Sequence, residues 1–253
     1  MILDSFRLTG KNALITGSSR GMGAAIAIAL AQAGANVALH ASQSVPDEVI
    51  QSVAETGVRH AALTADLTNP GHAPELIEQA IAALGSIDIL VNNAGITRRA
   101  PAVDYPLADW DDVIATNLTS VFRLCQCAAR PMLERGAGKI VNIASLLSFQ
   151  GGITVPAYAA AKGGVAQLTK ALANEWAARG VQVNAIAPGY MATDLTQALQ
   201  NDATRSRQIL ERIPAGKWGS PHDVAGAAVF LASPASNYIN GHILAVDGGW
   251  LAR

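Results

Sequence analysis

The chain has 253 residues, half of them hydrophobic and 15% charged, with a formal net charge of −1; that admits one large domain or two small ones with a sizeable core. The near balance of charge, with no run of five like charges, argues against a nucleic-acid or anionic-membrane surface, and no apolar run reaches the roughly 18 residues of a membrane span. The opening "MILDSFRLTGK" lacks the apolar core of a secretion signal, Cys125 and Cys127 form neither a CxxC pair nor an obvious disulfide, and five scattered histidines have no zinc-ligand spacing, so the reading is a cytoplasmic α/β protein without a metal.

Short apolar runs alternate with longer segments of helical period. The runs are "NALIT" (12–16), "NVALHA" (36–41), "HAALTA" (60–65), "IDILVN" (87–92), "KIVNIA" (139–144), "QVNAIA" (182–187) and "HILAVD" (242–247). Runs that are apolar nearly throughout are expected of strands buried on both faces of a parallel sheet. Between the first two lies "GAAIAIALAQAG" (23–34), a helix with Gly34 where a C-terminal capping glycine belongs. The alternation runs from end to end without a linker or an internal repeat. It predicts one Rossmann-type, doubly wound α/β domain over 1–253: about seven parallel strands with helices on both faces.

In such folds ligands bind beyond the carboxyl ends of the strands. After the first run comes "TGSSRGMG", whose Gly17, Gly21 and Gly23 follow a strand and open a helix. That is where a backbone approaches a phosphate, because a helix N-terminus offers unpaired N–H groups and partial positive charge. An ordinary tight turn is the bland alternative. After the third run comes Asp66, either an acceptor for an adenine amino group or a turn-capping carboxylate. After the fourth comes "NNAG", whose amides can tie strand ends together and whose Ala-Gly leaves room for a flat ring. Ser145 follows the fifth run, and "PGYMATD" (188–194) follows the sixth. The stretch "VPAYAAAKGGVAQLTKALANEW" (155–176) reads as a helix that carries Tyr158 and Lys162 one turn apart. Residues i and i+4 share a helix face, about 5–6 Å apart at Cβ. Gly163 and Gly164 after them each cost about 1 kcal/mol against Ala, which suggests close approach of another backbone or, equally, a packing role inside the monomer.

In combination, "TGSSRGMG", "NNAG", Asn117, Ser145, "YAAAK" and "PG" resemble the classical short-chain dehydrogenase/reductase family, over nearly the whole chain from about residue 8. The resemblance implies that Tyr158 is the acid/base and that Lys162 lowers its pKa and binds the nicotinamide ribose. It implies that Ser145 polarises the substrate oxygen and that Asn117 helps to hold a water-linked proton path to Lys162. A free phenol, with a pKa of about 10, is poorly matched to proton transfer near neutrality, and a neighbouring ammonium favours the phenolate. The implied cofactor contacts are Gly17, Ser19, Arg20, Gly21, Met22 and Gly23 in the first turn. They continue with His40 and Ser42 after the second strand and Asp66 and Leu67 after the third. Asn93, Ala94 and Gly95 follow the fourth, and Tyr158, Lys162, Pro188, Gly189, Met191 and Thr193 complete the set.

NAD-preferring members often carry an acid at the end of the second strand, on the ribose 2′-hydroxyl. Here that place falls on Ala41 and Ser42, and no acid occurs before Asp47. Arg20 could reach a 2′-phosphate, with His40 or Ser42 as donors, so NADP(H) is favoured and NAD(H) is the alternative. The stretches "SLLSFQGGITVPAY", "VNAIAPGYMATDLTQAL", "QILERIPAGKWG" and "LAVDGGWLAR" are similar to the branch of the family that comprises the 2-dehydro-3-deoxy-D-gluconate 5-dehydrogenases, also called 2-deoxy-D-gluconate 3-dehydrogenases. That branch handles keto-deoxy sugar acids from pectin-type polyuronides, and related reductases act on the unsaturated-uronate product of alginate. A sugar acid needs donors for its carboxylate. Arg98, Arg99, Gln150 and Tyr190 are the candidates, with 190–217 as a lid and the terminal "GWLAR" reaching a neighbouring subunit's site. The family commonly pairs the tyrosine helix across a subunit interface, which implies a homotetramer. A 3-oxoacyl-carrier-protein reductase is the competing enzyme reading, and a non-catalytic dinucleotide sensor is the competing reading of another class.

Overall fold

The computed structural model describes residues 1–253, apart from the side chain of Leu195. Its centre is a seven-stranded, all-parallel sheet: β1 (Asn12–Ile15), β2 (Asn36–Ala41), β3 (His60–Thr64), β4 (Ile89–Asn92), β5 (Gly138–Ile143), β6 (Val181–Pro188) and β7 (Ile243–Val246). The spatial order is β3-β2-β1-β4-β5-β6-β7. The strand order reverses between β1 and β4, and the crevice outside their carboxyl ends is where such sheets take ligands. The helices are α1 (Gly21–Gln32), α2 (Asp47–Ala54), α3 (Ala73–Leu84), α4 (Leu107–Ile114), α5 (Ser120–Arg135), α6 (Pro156–Trp176), α7 (Gln197–Asn201), α8 (Ala203–Arg212) and α9 (Pro221–Ala232). A π-turn, Ala115–Thr119, joins α4 to α5. No described helix is long and apolar enough to cross a membrane.

The sheet separates two apolar layers. One packs α3, α5 and α6 on it through Leu76, Leu124, Met132 and Val165. The other packs α1 and α9 on it through Ile26, Leu30, Val224 and Leu231. Burial on both faces holds for β1 and β4, which are buried throughout. It does not hold for β3 and β7, which alternate between exposed and half-buried or are mostly half-buried. These two strands form the sheet's edges, so one side of each lacks a neighbour. Gly34 stands just past α1 with φ +101°, the left-handed conformation its capping role demands.

α6 carries the candidate catalytic pair and is fixed to the sheet from below. Asn92 Nδ2 on β4 donates to Asn142 Oδ1 on β5 (2.9 Å), and Asn142 Nδ2 donates to Thr169 Oγ1 on α6 (3.0 Å). All three residues are buried, where an unpaired amide is expensive. Of the two helix glycines, Gly164 abuts the Leu118 side chain, where a Cβ would lie 2.9 Å from it, whereas Gly163 faces open space. Asn142→Ala is predicted to lower unfolding stability by about 2–4 kcal/mol, by removing its buried side-chain hydrogen bonds and leaving a cavity. Urea unfolding checks this; a loss under about 0.5 kcal/mol, the scale of a neutral surface change, would contradict it.

Candidate active site

The Gly-rich turn is stitched to the end of β4. Thr16 Oγ1 accepts from the N–H groups of Asn93 and Ala94, both at 3.0 Å, and Asn93 Nδ2 donates to the carbonyls of Thr16 and Gly17, both at 2.9 Å. The fit leaves no room for side chains. A Cβ on Gly23 would lie 2.1 Å from the Gly17 carbonyl oxygen, and one on Gly17 would lie 2.8 Å from the Ala94 Cα. The glycines are therefore dictated by strand-to-helix packing as much as by any phosphate. Arg20 caps α1 with extended backbone and no side-chain hydrogen bond, so the first N–H groups of that helix, at Gly21, Met22 and Gly23, keep their donor capacity for an anion.

His40 does not present a free donor to this crevice. It is 2% exposed; its Nδ1 accepts from the Gly17 N–H at 3.2 Å, and its Nε2 lies 2.9 Å from the Ala65 carbonyl. Accepting at one nitrogen and donating at the other requires the neutral ring. Burial agrees, holding its pKa below the usual histidine value against the opposing pull of the Ala65 carbonyl. Ser42 is exposed beyond the end of β2. Arg20 is exposed and pairs with Asp194 at 3.4 Å. Asp66 Oδ1 caps its own turn, accepting from Thr68 N and Oγ1 at 3.0 and 2.8 Å, and these bonds hold its pKa low. The Leu67 side chain is buried in the core.

On the other side of the crevice, Lys162 is buried and its Nζ donates to the Ile143 carbonyl at 2.6 Å. Burial lowers its pKa to about 8. Nζ lies 5.7 Å from the Tyr158 ring centroid. Burial pushes the phenol up, and the opposing pull comes from the Ser145 hydroxyl. Ser145 Oγ accepts from Leu147 N at 3.2 Å, and Ser145 N donates to Ser148 Oγ, which donates to the Lys162 carbonyl at 2.7 Å. Ser148 thus locks the serine turn onto α6; the Ser-x-x-Ser capping spacing was the sequence signal for it. Asn117, fully buried in the π-turn, spends its side chain on the Ile96 backbone, accepting from N at 2.9 Å and donating to O at 2.7 Å. It holds the loop after β4.

A cavity of ≈ 420 Å³ brings these parts together. Met22, Asn93, Gly95, Ser145, Tyr158, Lys162, Pro188, Gly189, Met191 and Thr193 line it, as do the substrate candidates Arg99, Gln150 and Tyr190. Arg98 is not a lining residue; it pairs with Asp109 at 3.7 Å. Gly17, Ser19, Arg20, Gly21, Gly23, Ala94 and Asn117 are also outside the lining. The segment after β6 folds over the cavity with α7 and α8 and adds Thr196, Leu199, Arg205, Gln208, Ile209 and Arg212, none of which motif spacing singled out. Trp250, close to the C-terminus, lines the cavity of its own chain, so "GWLAR" reaches this chain's site.

A family model described as enoyl-(acyl carrier protein) reductase matches residues 17–251. The chain belongs to the short-chain dehydrogenase/reductase family. It is 54% identical over 255 residues, covering 100% of both chains, to the 2-dehydro-3-deoxy-D-gluconate 5-dehydrogenase of Dickeya dadantii. Among solved structures it resembles a putative 2-deoxy-D-gluconate 3-dehydrogenase from Agrobacterium tumefaciens with bound NADP. That pair is 53% identical with a TM-score of 0.92, covering 98% of this chain and 99% of the other. It also resembles a gluconate 5-dehydrogenase from Burkholderia cenocepacia in complex with NADP and tartrate, at 42% identity and TM-score 0.94 over 100% of both chains.

As a short-chain dehydrogenase/reductase, the chain should tolerate no side chain at the turn glycine that its own backbone crowds. Gly23→Ala is predicted to weaken NADPH binding about 10–100-fold, the equivalent of about 1–3 kcal/mol of overpacking. Titration of NADPH fluorescence reads it, and an unchanged Kd would contradict it.

Proposed function

We propose that the protein is an NADP(H)-dependent oxidoreductase that interconverts a ketone and a secondary alcohol on a keto-deoxy sugar acid. One observation carries the reading. Ser145, Tyr158 and Lys162 open into a single cavity whose other charged liners, Arg99, Arg205 and Arg212, are all cationic, with no carboxylate among the described lining residues. Such a lining suits an anionic substrate, as a sugar acid is. The relatives' names agree with it.

The cofactor crevice fits a dinucleotide. The uncapped N-terminus of α1 would hold the pyrophosphate, and the exposed Arg20 and Ser42 would take a 2′-phosphate. His40 supports the turn from behind by holding the Gly17 N–H. A bound nicotinamide supplies the hydride. The chain's own residues handle the oxygen and its proton. Ser145 donates a hydrogen bond to the substrate carbonyl, and Tyr158, kept protonated at neutral pH by burial, delivers the proton as the alcohol forms. In oxidation Tyr158 takes that proton back. Lys162, fixed by the Ile143 carbonyl, stands beside the ring as the cation that stabilises the phenolate while it exists. Residues 190–217 act as a lid that keeps water out. Edge strand β7 and the exposed Val103, Leu107 and Phe122 of the α4–α5 region leave apolar surface for a homotetramer, and the proposed compartment is the cytoplasm.

The testing experiment compares kcat/KM for NADPH and NADH with the 2,5-diketo form of 3-deoxygluconate as substrate. The expected result is turnover with NADPH preferred, and weaker or no turnover of an acetoacetyl thioester. A thioester preferred over the sugar acid would overturn the proposal in favour of an acyl-carrier-protein reductase. Tyr158→Phe should cost about 10²–10⁴-fold in kcat, the usual range of general acid–base catalysis, and leave the NADPH Kd unchanged. Substantial remaining turnover would sink the tyrosine's role. The pH dependence has a definite sign. Reduction needs both Tyr158 and Lys162 protonated, and Lys162 is the first to lose its proton as pH rises, at about 8. The profile of kcat/KM for NADPH, which reports the free enzyme, should be level at lower pH and fall through that value. A profile that rises there would contradict the assignment.

A further inference from the structure

We propose that Arg212 is the group that reads the substrate's carboxylate, held ready for it by Trp250 and Gln150. The proposal rests on the sugar-acid reading above and gives that reading a specific atom group.

Several arginines stand near the cavity, and their surroundings differ. Arg98 and Arg20 already have carboxylate partners, Asp109 and Asp194. Arg205 donates to Gln208 on its own helix at 2.9 Å, and Arg99, exposed in the lining, has no hydrogen bond or ion pair to fix it among the described residues. Arg212, at the end of α8, is different. Its guanidinium carbon lies 4.0 Å from the Trp250 ring centroid, and its Nη2 donates to Gln150 Oε1 at 3.2 Å. The same oxygen accepts from Trp250 Nε1, also at 3.2 Å. Trp250 is itself 4% exposed and packs against Leu146, Ile209, Ile213 and Tyr190, whose ring centroid lies 4.7 Å away.

These contacts fix both the plane and the rotation of one guanidinium. Stacking on an indole occupies its face and leaves its edge of N–H donors free, and that edge matches a carboxylate in bidentate fashion. Only one donor is committed, and its acceptor is a neutral amide. No carboxylate lies within ion-pair distance of Arg212 among the described residues. A cation held in place without a counter-ion, in the wall of the cavity that also holds Ser145 and Tyr158, is a preorganised anion site whose ordering cost is met before the ligand arrives. A cofactor phosphate is the less suitable occupant, because Arg20, Gly21 and Gly23 of the uncapped turn are outside the lining of the cavity that Arg212 lines. Gln150 is decisive here: a Glu in its place would itself neutralise Arg212.

The experiment measures oxidation of 2-dehydro-3-deoxy-D-gluconate and of its uncharged methyl ester with NADP+, in the wild type and in Arg212→Gln, Arg212→Lys and Gln150→Glu. The wild type should prefer the acid. Arg212→Gln should raise KM for the acid about 10–100-fold, the usual worth of a charge-assisted hydrogen bond, while KM for the ester and the Kd of NADPH stay put. Arg212→Lys should recover part of the preference, and Gln150→Glu, which retains the arginine and its stack, should lose it. An acid-to-ester ratio unchanged in both Arg212→Gln and Gln150→Glu, in enzyme that still turns over the acid, would overturn this proposal and leave the sugar-acid reading standing. A wild type inactive on every sugar acid would overturn both.

Discussion

The hydrogen bond from the Lys162 ammonium to the Ile143 carbonyl, 2.6 Å long and buried, ties α6 to the carboxyl end of β5. The rest of the catalytic side depends on it. An ammonium taken out of water is costly, and its pKa, lowered to about 8, records that cost. The carbonyl offsets part of it and fixes where the charge sits. Ser145 follows Ile143 by two residues and Tyr158 precedes Lys162 by one helical turn, so one bond sets the spacing of all three groups. Ser148 repeats the link by joining the serine turn to the Lys162 carbonyl, and the Asn92–Asn142–Thr169 chain anchors the same helix deeper in the sheet.

The nucleotide side is built by a different device: polar side chains that bind the protein's own backbone so that backbone remains for the ligand. Thr16, Asn93 and His40 all spend their hydrogen bonds on turn or strand-end main chain. That leaves the first turn of α1 shaped and unpaired at a single place. The two sides then differ in rigidity of purpose. The proposed cofactor side is formed by strand ends within the core, whereas the proposed substrate side is formed by α7, α8 and Trp250, which meet over the mouth through a small separate apolar cluster.

The strands, their parallel arrangement and the residues at their ends were legible in the sequence, because a sheet buried on both faces writes itself as apolar runs. Which runs lie at the edges was not legible. β3 and β7 are as apolar as their neighbours, and only the sheet order exposes them. The spacing of Tyr158 and Lys162 on one helix face was legible, but not that the lysine's proton donor would turn to the strand. His40 reads as a ligand donor at a strand end, since no periodicity tells whether an imidazole turns inward. Arg212 had no local signal at all. It is one arginine among several in a polar helix, and what distinguishes it is a contact with Trp250, far along the chain.

In the proposed reaction, hydride passes directly between a nicotinamide and one carbon of a sugar acid while Tyr158 handles only the proton. Label transfer tests it most directly. NADPH carrying deuterium at the transferring C4 position is incubated with the 2,5-diketo form of 3-deoxygluconate, and the product is read by NMR. Direct transfer would put deuterium on the new carbinol carbon, and none there when unlabelled NADPH is used in D2O. Label arriving at that carbon from solvent, or no labelled carbinol despite NADPH consumption, would contradict it.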